Sequence, residues 1–336
     1  MLNSYENFDF IELSEAQTRQ YIDADSAWRA LASADLAAAE VRGSMMWRVQ
    51  SGRRYLIRVS GTGAQTSLGP ETPENEAIFE RFTARKESAK ARQKQLRETV
   101  QQHIRLNRAL RVGRVPNMVV DTLNALAKAG LQKNFLTVGT QALYAYETAC
   151  GVRVQTEATA TQDIDLLLDT RKYLQFTSTM KRLDTSLLSI FQKTDKTFVL
   201  RDDQKYTAVN AAGFEIDVIR RSAHNGNPHP LRVSSFEDDF WAVQVPSGRA
   251  LLDGGTFSQT VVATNGGMAT LSAPSPTNFV HIKTALSEKY DRDPLKSRKD
   301  LLQAKLVQRM LDEHGLQHVA NAQTKSESSE KRYGNL

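Results

Sequence analysis

Two aspartates with one residue between them are the first feature of this sequence that could do chemistry. Asp163 and Asp165 lie in the run DIDLLL, which predicts a β-strand. Successive side chains of a strand point to opposite faces, so both carboxylates project from one face and repel each other unless a cation lies between them. Hard ions such as Mg²⁺ prefer carboxylate oxygens together with phosphate. The pair therefore predicts a metal and nucleotide site.

A glycine and a hydroxyl residue precede these acids. Gly139 and Thr140 follow the apolar run FLTV, a predicted buried strand, and precede ALYAYE, a predicted helix. Glycine lets the backbone approach a phosphate closely, and the first N–H groups of a helix offer partial positive charge. Thr140 could then donate its hydroxyl to a phosphate oxygen, although a threonine at this place is also an ordinary helix N-cap.

A third group of acids lies on a later predicted strand, FEIDVI. Glu215 and Asp217 share one face of this strand, and its apolar side chains share the other. Strand alternation alone does not choose between the two acids.

The elements around these residues predict four segments. Residues 1–130 form an N-terminal module, residues 131–275 the core with the site, residues 276–319 a helical segment, and residues 320–336 a polar, mobile tail. Within the core the chain is predicted to be strand-like from Ala250 to Leu271.

The N-terminal module begins with a predicted hairpin. Two alternating runs, Met45–Val49 and Tyr55–Val59, predict paired strands. Glycines and prolines then indicate a loop over residues 60–73, and a long helix is predicted from Glu74 to about Leu110.

Composition excludes several classes of protein. The chain has 336 residues, 40% hydrophobic and 24% charged, as is typical of ordinary globular proteins. No apolar run approaches the ~18 residues of a membrane-spanning helix, and the first twenty residues lack the pattern of a secretory signal. A single cysteine, Cys150, excludes an internal disulfide framework. We therefore expect a cytoplasmic protein without a membrane partner.

Positive charge is concentrated in the predicted long helix. Eleven basic and two acidic residues lie between Arg81 and Arg114, although the whole chain has a net charge of only +6. Such a helix can follow the phosphate backbone of a nucleic acid, and it can equally be a solvated surface.

The ordered set of turn, paired acids and third acid resembles the polymerase-beta-type nucleotidyltransferase superfamily. More closely, GTQALYAYE, TQDIDLLLD, RDPLKSRKD and the upstream GSMMWRVQSGRRYLIRV resemble a bacterial nucleotidyltransferase-like family. Threonine stands where many members of the superfamily have serine. The 22 residues between Thr140 and Asp163 exceed the usual gap, so they must include an extra strand or loop, for which residues 152–154 are the candidate.

The resemblance implies an α+β fold. It would have a nucleotidyltransferase-type mixed sheet with flanking helices, the N-terminal hairpin-and-helix module and C-terminal helices. The implied reaction moves a nucleoside monophosphate from an NTP to a hydroxyl of RNA, a protein or a small molecule, with release of pyrophosphate.

The resemblance also implies roles for individual residues. The catalytic acids that hold one or two Mg²⁺ or Mn²⁺ ions would be Asp163, Asp165 and Asp217, with Asp217 preferred over Glu215 as the third ligand and proton acceptor. The phosphate-binding residues would be Gly139, Thr140, Lys283, Arg292 and Lys296, of which the last three could also contact an acidic acceptor.

Two other functions fit some of these residues. A metal-dependent glycosyltransferase also uses an Asp-x-Asp motif, but this reading leaves Gly139, Thr140 and the third acid unexplained. A nucleic-acid-binding or toxin–antitoxin-type regulatory protein on a degenerate transferase scaffold would bind nucleic acid without catalysis.

Overall fold

The computed structural model describes residues 10–154, 156–159, 161–222, 229–320 and 323. It contains two compact units, one formed by residues 19–110 and the other by residues 1–18 together with 111–336. The division of the chain into four segments, made from the sequence, stays a prediction. The predicted mobile tail lies outside the described residues except for positions 320 and 323.

The helices and strands are named in chain order. The strands are β1 Ile11–Glu12, β2 Ser44–Gln50, β3 Arg53–Val59, β4 Gln65–Pro70, β5 Phe135–Val138, β6 Val152–Arg153, β7 Asp163–Leu168, β8 Val199–Leu200, β9 Thr207–Val209, β10 Glu215–Arg221, β11 Leu231–Arg232, β12 Trp241–Val245, β13 Thr256–Val262 and β14 Met268–Pro274. The helices are α1 Glu15–Glu40, α2 Pro73–Ala109, α3 Asn117–Lys128, α4 Leu143–Cys150, α5 Thr156–Thr159, α6 Tyr173–Leu183, α7 Leu187–Gln192, α8 Gly248–Asp253, α9 Pro276–Ser287 and α10 Pro294–Glu313.

Two antiparallel helices, α1 and α2, form the frame of the unit 19–110. Gln20 of α1 donates to Asn107 near the end of α2, and Glu40 at the end of α1 accepts from Arg85 near the beginning of α2. The sequence explains where α2 begins, because the Thr72 side chain accepts the Asn75 N–H and proline occupies the first turn.

The sheet of this unit has one strand more than the sequence predicts. Strands β2 and β3 form the predicted hairpin, and β4 pairs with the other edge of β3 inside the predicted loop 60–73. The glycines that suggested a loop instead shape this strand, since Gly63 lies in the turn that precedes β4 and Gly69 has a φ of +118° beside a register shift.

The larger unit contains a mixed seven-stranded sheet, which confirms the predicted α+β class. Its main path runs β11-β12-β10-β7-β5, with β9 also paired to β10 and β8 paired to β9. Strand β10 is parallel to both β7 and β12, whereas β5 is antiparallel to β7.

The two faces of the central strands have different environments. Ile164, Leu166, Ile216 and Val218 on one face are fully buried in the main core. On the other face only one end is apolar, where Leu167 and its neighbours pack against the leucines of α8. The remaining end of that face contains the acids of β7 and β10.

The rest of the unit covers and extends this sheet. The antiparallel hairpin β13–β14 packs against α4, where the Tyr146 hydroxyl donates to the Pro274 carbonyl over 2.8 Å. Helices α9 and α10 pack against each other. The strand-like prediction from Ala250 was wrong at its beginning, because residues 248–253 form α8 and strand pairing starts at Thr256. The apolar side chains of α8 follow a helical spacing and cover the end of the sheet.

The long gap between Thr140 and Asp163 contains the expected extra strand. It is β6, which pairs with β1 rather than with the main sheet, and the gap also contains the short helix α5. Within the described residues no helix is both long enough and apolar enough to cross a membrane.

Candidate active site

The three predicted catalytic acids lie side by side on neighbouring strands. Because β7 and β10 are parallel, Asp165 is paired with Asp217 and Asp163 with Glu215. All four side chains project from the same face. On each strand the two acids differ by two positions, and alternate residues of a strand point to the same side. Strand register therefore brings Asp217 to the aspartate pair despite some fifty residues of intervening chain.

The negative charges of this cluster interact strongly. Burial, the neighbouring Asp163 and then Asp217 raise the pKa of Asp165 to about 7. Burial is also the main cause that raises the pKa of Asp217, although a hydrogen bond of 2.6 Å from the Thr207 hydroxyl acts in the opposite direction. Asp163 accepts a hydrogen bond from the Thr161 hydroxyl. The cluster thus has more negative charge than its surroundings compensate.

Glu215 has a different partner from Asp217. Its carboxylate accepts from the Arg201 guanidinium over 2.9 Å and forms an ion pair with it. Asp217 has a neutral hydroxyl as its hydrogen-bond partner. The ion pair occupies Glu215, so the arrangement favours Asp217 as the third acid.

The turn after β5 lies directly against Asp165. Gly139 has a φ of +66°, and a Cβ atom placed on it would lie 2.1 Å from the Asp165 Oδ2 atom. The backbone angle favours glycine here, and any larger residue would force the Asp165 carboxylate to move. The turn continues as a 3₁₀ segment, Gly139–Ala142, which leads into α4.

Two buried glutamines hold this turn in place. Gln141 donates its side-chain amide to the Asp163 carbonyl over 2.8 Å, which ties the turn to β7. Gln303 of α10 donates to the Thr140 hydroxyl oxygen over 3.1 Å. Thr140 lies inside the 3₁₀ segment, whose N-cap is Val138, and the N-cap of α4 is Ala142, so Thr140 does not occupy the N-cap position considered for it.

The predicted cations are brought to the site to different degrees. Lys283 of α9 is close enough to Asp165 to lower its pKa, and it forms an ion pair of 2.7 Å with the buried Asp300. Arg292 also binds Asp300, over 2.6 Å. The Lys296 side chain is exposed in the first turn of α10. Lys283 is therefore the member of this set that the structure brings to the acids.

Lys299 is a further cation that the sequence did not single out as a site residue. Burial lowers its pKa, and its nearest charges include Asp163, Lys283 and Asp165. It lies four residues before Gln303 and next to Asp300 on α10. The sequence contained one signal that could have identified Lys299, which is its spacing of four from Gln303. Positions three or four apart lie on the same face of a helix.

The donor set fits a hard divalent cation. Mg²⁺ and Mn²⁺ prefer carboxylate oxygens, and they are usually held by one or two carboxylates together with substrate phosphates and water. Among the described residues no three acidic, histidine or cysteine side chains converge as a ready-made metal shell. Asp163 and Asp165, with Asp217, are the residues that would hold such an ion together with a phosphate ligand.

A family model described as Nucleotidyltransferase matches residues 117–327, which include every predicted site residue. No curated protein and no solved structure matches the chain.

Proposed function

The chain belongs to this nucleotidyltransferase family, and on that premise we propose that it moves a nucleoside monophosphate from an NTP to a hydroxyl acceptor by the polymerase-beta-type mechanism. The observation that supports this most strongly is the pairing of Asp165 with Asp217 on parallel strands, with the Gly139 turn against Asp165. The family assignment favours nucleotidyl transfer over glycosyl transfer.

Each residue of the site has a role in this reaction. One or two Mg²⁺ or Mn²⁺ ions, bound by Asp163, Asp165 and Asp217, would neutralise charge on the triphosphate and on the leaving pyrophosphate. The Gly139 turn and the Thr140 hydroxyl position the phosphates, and Lys283 and Lys299 add positive charge close to the acids. Arg292, just before α10, and Lys296, in its first turn, are proposed to contact the triphosphate or an acidic acceptor.

The chemical step is a displacement at the α-phosphorus. The acceptor hydroxyl oxygen forms a bond to this atom, while the bond between the α-phosphorus and its bridging oxygen breaks and pyrophosphate leaves. The hydroxyl proton goes to Asp217.

Pyrophosphate release from labelled NTPs with Mg²⁺ tests the proposal. The double variant Asp163→Ala/Asp165→Ala should lose the activity, because it removes the proposed metal ligands. The exposed pair Asp202 and Asp203 provides the matched control Asp202→Asn/Asp203→Asn, which should keep it. Equal release by wild type and the double alanine variant would exclude the metal assignment. An inactive wild type that still binds nucleic acid would favour the regulatory alternative.

We also propose that α2 contacts nucleic acid, such as an RNA acceptor. The unit 19–110 contains 16 basic and 10 acidic residues and so accounts for the whole net charge of +6. Several cations of α2 already have partners in α1 or the turn after it, since Arg85 binds Glu40, Arg97 binds Asp35 and Lys86 binds the Gly43 carbonyl.

Four other cations lie together on the exposed surface of α2. They are Lys90, Lys94, Arg105 and Arg108, which we call the α2 stripe. Helical spacing places their Cα positions within about 60° of one another around the helix axis, along roughly 27 Å of its length. Two glutamates, Glu87 and Glu98, lie beside the stripe and reduce its charge. Its length and charge suit several phosphates of one strand.

A further inference from the structure

Gln303 places one side-chain nitrogen between two acceptors next to the proposed phosphate site. Its side chain on α10 is fully buried. The Nε2 atom lies 3.1 Å from the Thr140 Oγ1 atom and 2.8 Å from the Ala158 carbonyl oxygen. This one amide therefore joins α10 to α5 and to the turn that follows β5.

The Ala158 carbonyl decides which way the amide points. A carbonyl oxygen only accepts hydrogen bonds, so the nitrogen of Gln303, and not its oxygen, must face it. The same nitrogen then donates to Thr140, whose oxygen acts as the acceptor. A hydroxyl that accepts in this way keeps its own proton for another acceptor.

Thr140 is only partly buried, whereas Gln303, which donates to its oxygen, is fully buried. Because the donor occupies the buried direction, an acceptor for the remaining hydroxyl proton must approach from another direction. The position also retains an unfavourable feature, because the Gln303 Oε1 atom is buried without a hydrogen-bond partner in the described part of the chain. An apolar side chain would avoid this cost but could not orient the hydroxyl.

We propose that Gln303 is a positioning residue that directs the Thr140 hydroxyl proton toward a phosphate oxygen of the bound NTP. This inference rests on the proposed nucleotidyl transfer and adds to it a residue from α10 that touches neither the nucleotide nor a metal. Gln303 acts only through Thr140, so its effect on nucleotide binding must disappear when Thr140 has no hydroxyl.

A double-mutant cycle tests this dependence. Binding of a non-hydrolysable NTP analogue with Mg²⁺ is measured for wild type, Gln303→Met, Thr140→Val and the double variant. We expect each single change to weaken binding about tenfold and the double variant to bind as Thr140→Val does. In a Thr140→Ser background, which keeps the hydroxyl, Gln303→Met should again weaken binding about tenfold.

A second variant covers a failure of Gln303→Met to fold. Gln303→Leu is a smaller apolar replacement, which also removes the donor to Thr140 and adds no buried charge. Its analogue binding should be about tenfold weaker than that of wild type. Binding like that of wild type would overturn the proposal.

The outcomes separate this inference from the proposed function. Losses that multiply in the double variant would show that Gln303 supports the fold independently of Thr140, and would overturn the inference while leaving nucleotidyl transfer intact. A folded wild-type protein that neither binds the analogue nor releases pyrophosphate would overturn the proposed function, and this inference with it.

Discussion

At the scale of single residues, the main feature of the candidate site is the balance between its acidic and basic side chains. Asp165 lies at its centre, close to Asp163 and Asp217, with Lys283 and Lys299 as partial compensation. Its raised pKa shows that the folded protein destabilises the ionised form of this carboxyl. A bound cation would reverse that effect, so metal binding and folding stability should be linked through this residue.

The first prediction concerns Asp165 and pH. Its folded-state pKa of about 7 exceeds the unfolded value near 3.8, so ionising this carboxyl costs stability as pH rises through this range. Without divalent metal, Asp165→Asn should therefore raise the free energy of unfolding at pH 8 by roughly 1–3 kcal/mol. The gain should vanish near pH 4. Urea denaturation at both pH values measures it.

Added Mg²⁺ serves as the control for that experiment. It should stabilise the wild-type protein at pH 8 and stabilise Asp165→Asn much less, because the variant lacks one of the proposed metal ligands. If Asp165→Asn were less stable than wild type at pH 8 in EDTA, the charge repulsion inferred for this cluster would be wrong.

The second prediction concerns Gly139. In Gly139→Ala the new methyl group would meet the Asp165 carboxylate, so we expect displacement of Asp165 and a loss of pyrophosphate release of about 100-fold. Gly151 is a matched control, since it has a φ of +67° and no atom within 4 Å of an added Cβ. Gly151→Ala should lose some stability from backbone strain but keep its activity. Equal activity losses in the two variants would indicate strain alone.

At the scale of secondary structure, two arrangements assemble the site. The parallel register of β7 and β10 sets Asp165 beside Asp217. Helix α10 supplies the second arrangement, because Lys299, Asp300 and Gln303 lie on one of its faces, toward α9 and the turn after β5. The buried Asp300 joins Lys283 of α9 to Arg292, so a single carboxylate orients two of the predicted phosphate-binding cations.

The third prediction follows from this shared carboxylate. Asp300→Asn leaves Lys283 and Arg292 without their counter-charge, so we expect a loss of about 3 kcal/mol in the free energy of unfolding. Affinity for an NTP analogue should also fall, because Lys283 is no longer held near Asp165. Asp312→Asn on the exposed surface of the same helix is the control and should change neither quantity. Chemical denaturation and analogue titration measure the two effects. An unchanged affinity in a folded Asp300→Asn variant would contradict the proposed orientation of Lys283.

At the scale of the whole molecule, charge and chemistry belong to different units. The unit 19–110 contains all of the net positive charge, whereas the acids and the turn after β5 belong to the larger unit. Helix α2 ends at Ala109, so Arg111 and Arg114 of the predicted basic helix lie beyond it, and Arg114 forms an ion pair with the buried Glu147. The cations available for a nucleic acid are therefore fewer than the sequence suggested.

The fourth prediction tests the α2 stripe. Replacing Lys90, Lys94, Arg105 and Arg108 by glutamine should weaken RNA binding and lower the slope of log K against log salt by about 3, since each phosphate contact on a single strand contributes roughly 0.7. The control replaces four exposed cations of the larger unit, Lys181, Arg182, Lys193 and Lys196, and so makes the same change in net charge. Fluorescence anisotropy over a salt series measures both. Equal losses would mean that net charge, and not the stripe, governs binding.

Local patterns in the sequence were sufficient for the β2–β3 hairpin, the strand–turn–helix around Gly139, the alternating faces of β7 and β10, and the α+β class. Each of these depends on neighbours in the chain, through strand alternation, turn residues and helix spacing. The strand β4 and the helix α8 were missed, because a pairing with the edge of β3 and the cover of the sheet involve distant residues.

Only the tertiary structure decided how the site is completed. Strand register set Asp217 beside Asp165, and an ion pair with Arg201 engages Glu215. The packing of α9 and α10 brought Lys299 near the acids and Gln303 to the turn after β5. The sequence determined which residues have the right chemistry, since donor type and spacing are local properties. It did not determine their partners, because ion pairs and buried hydrogen bonds form between segments that only folding brings together.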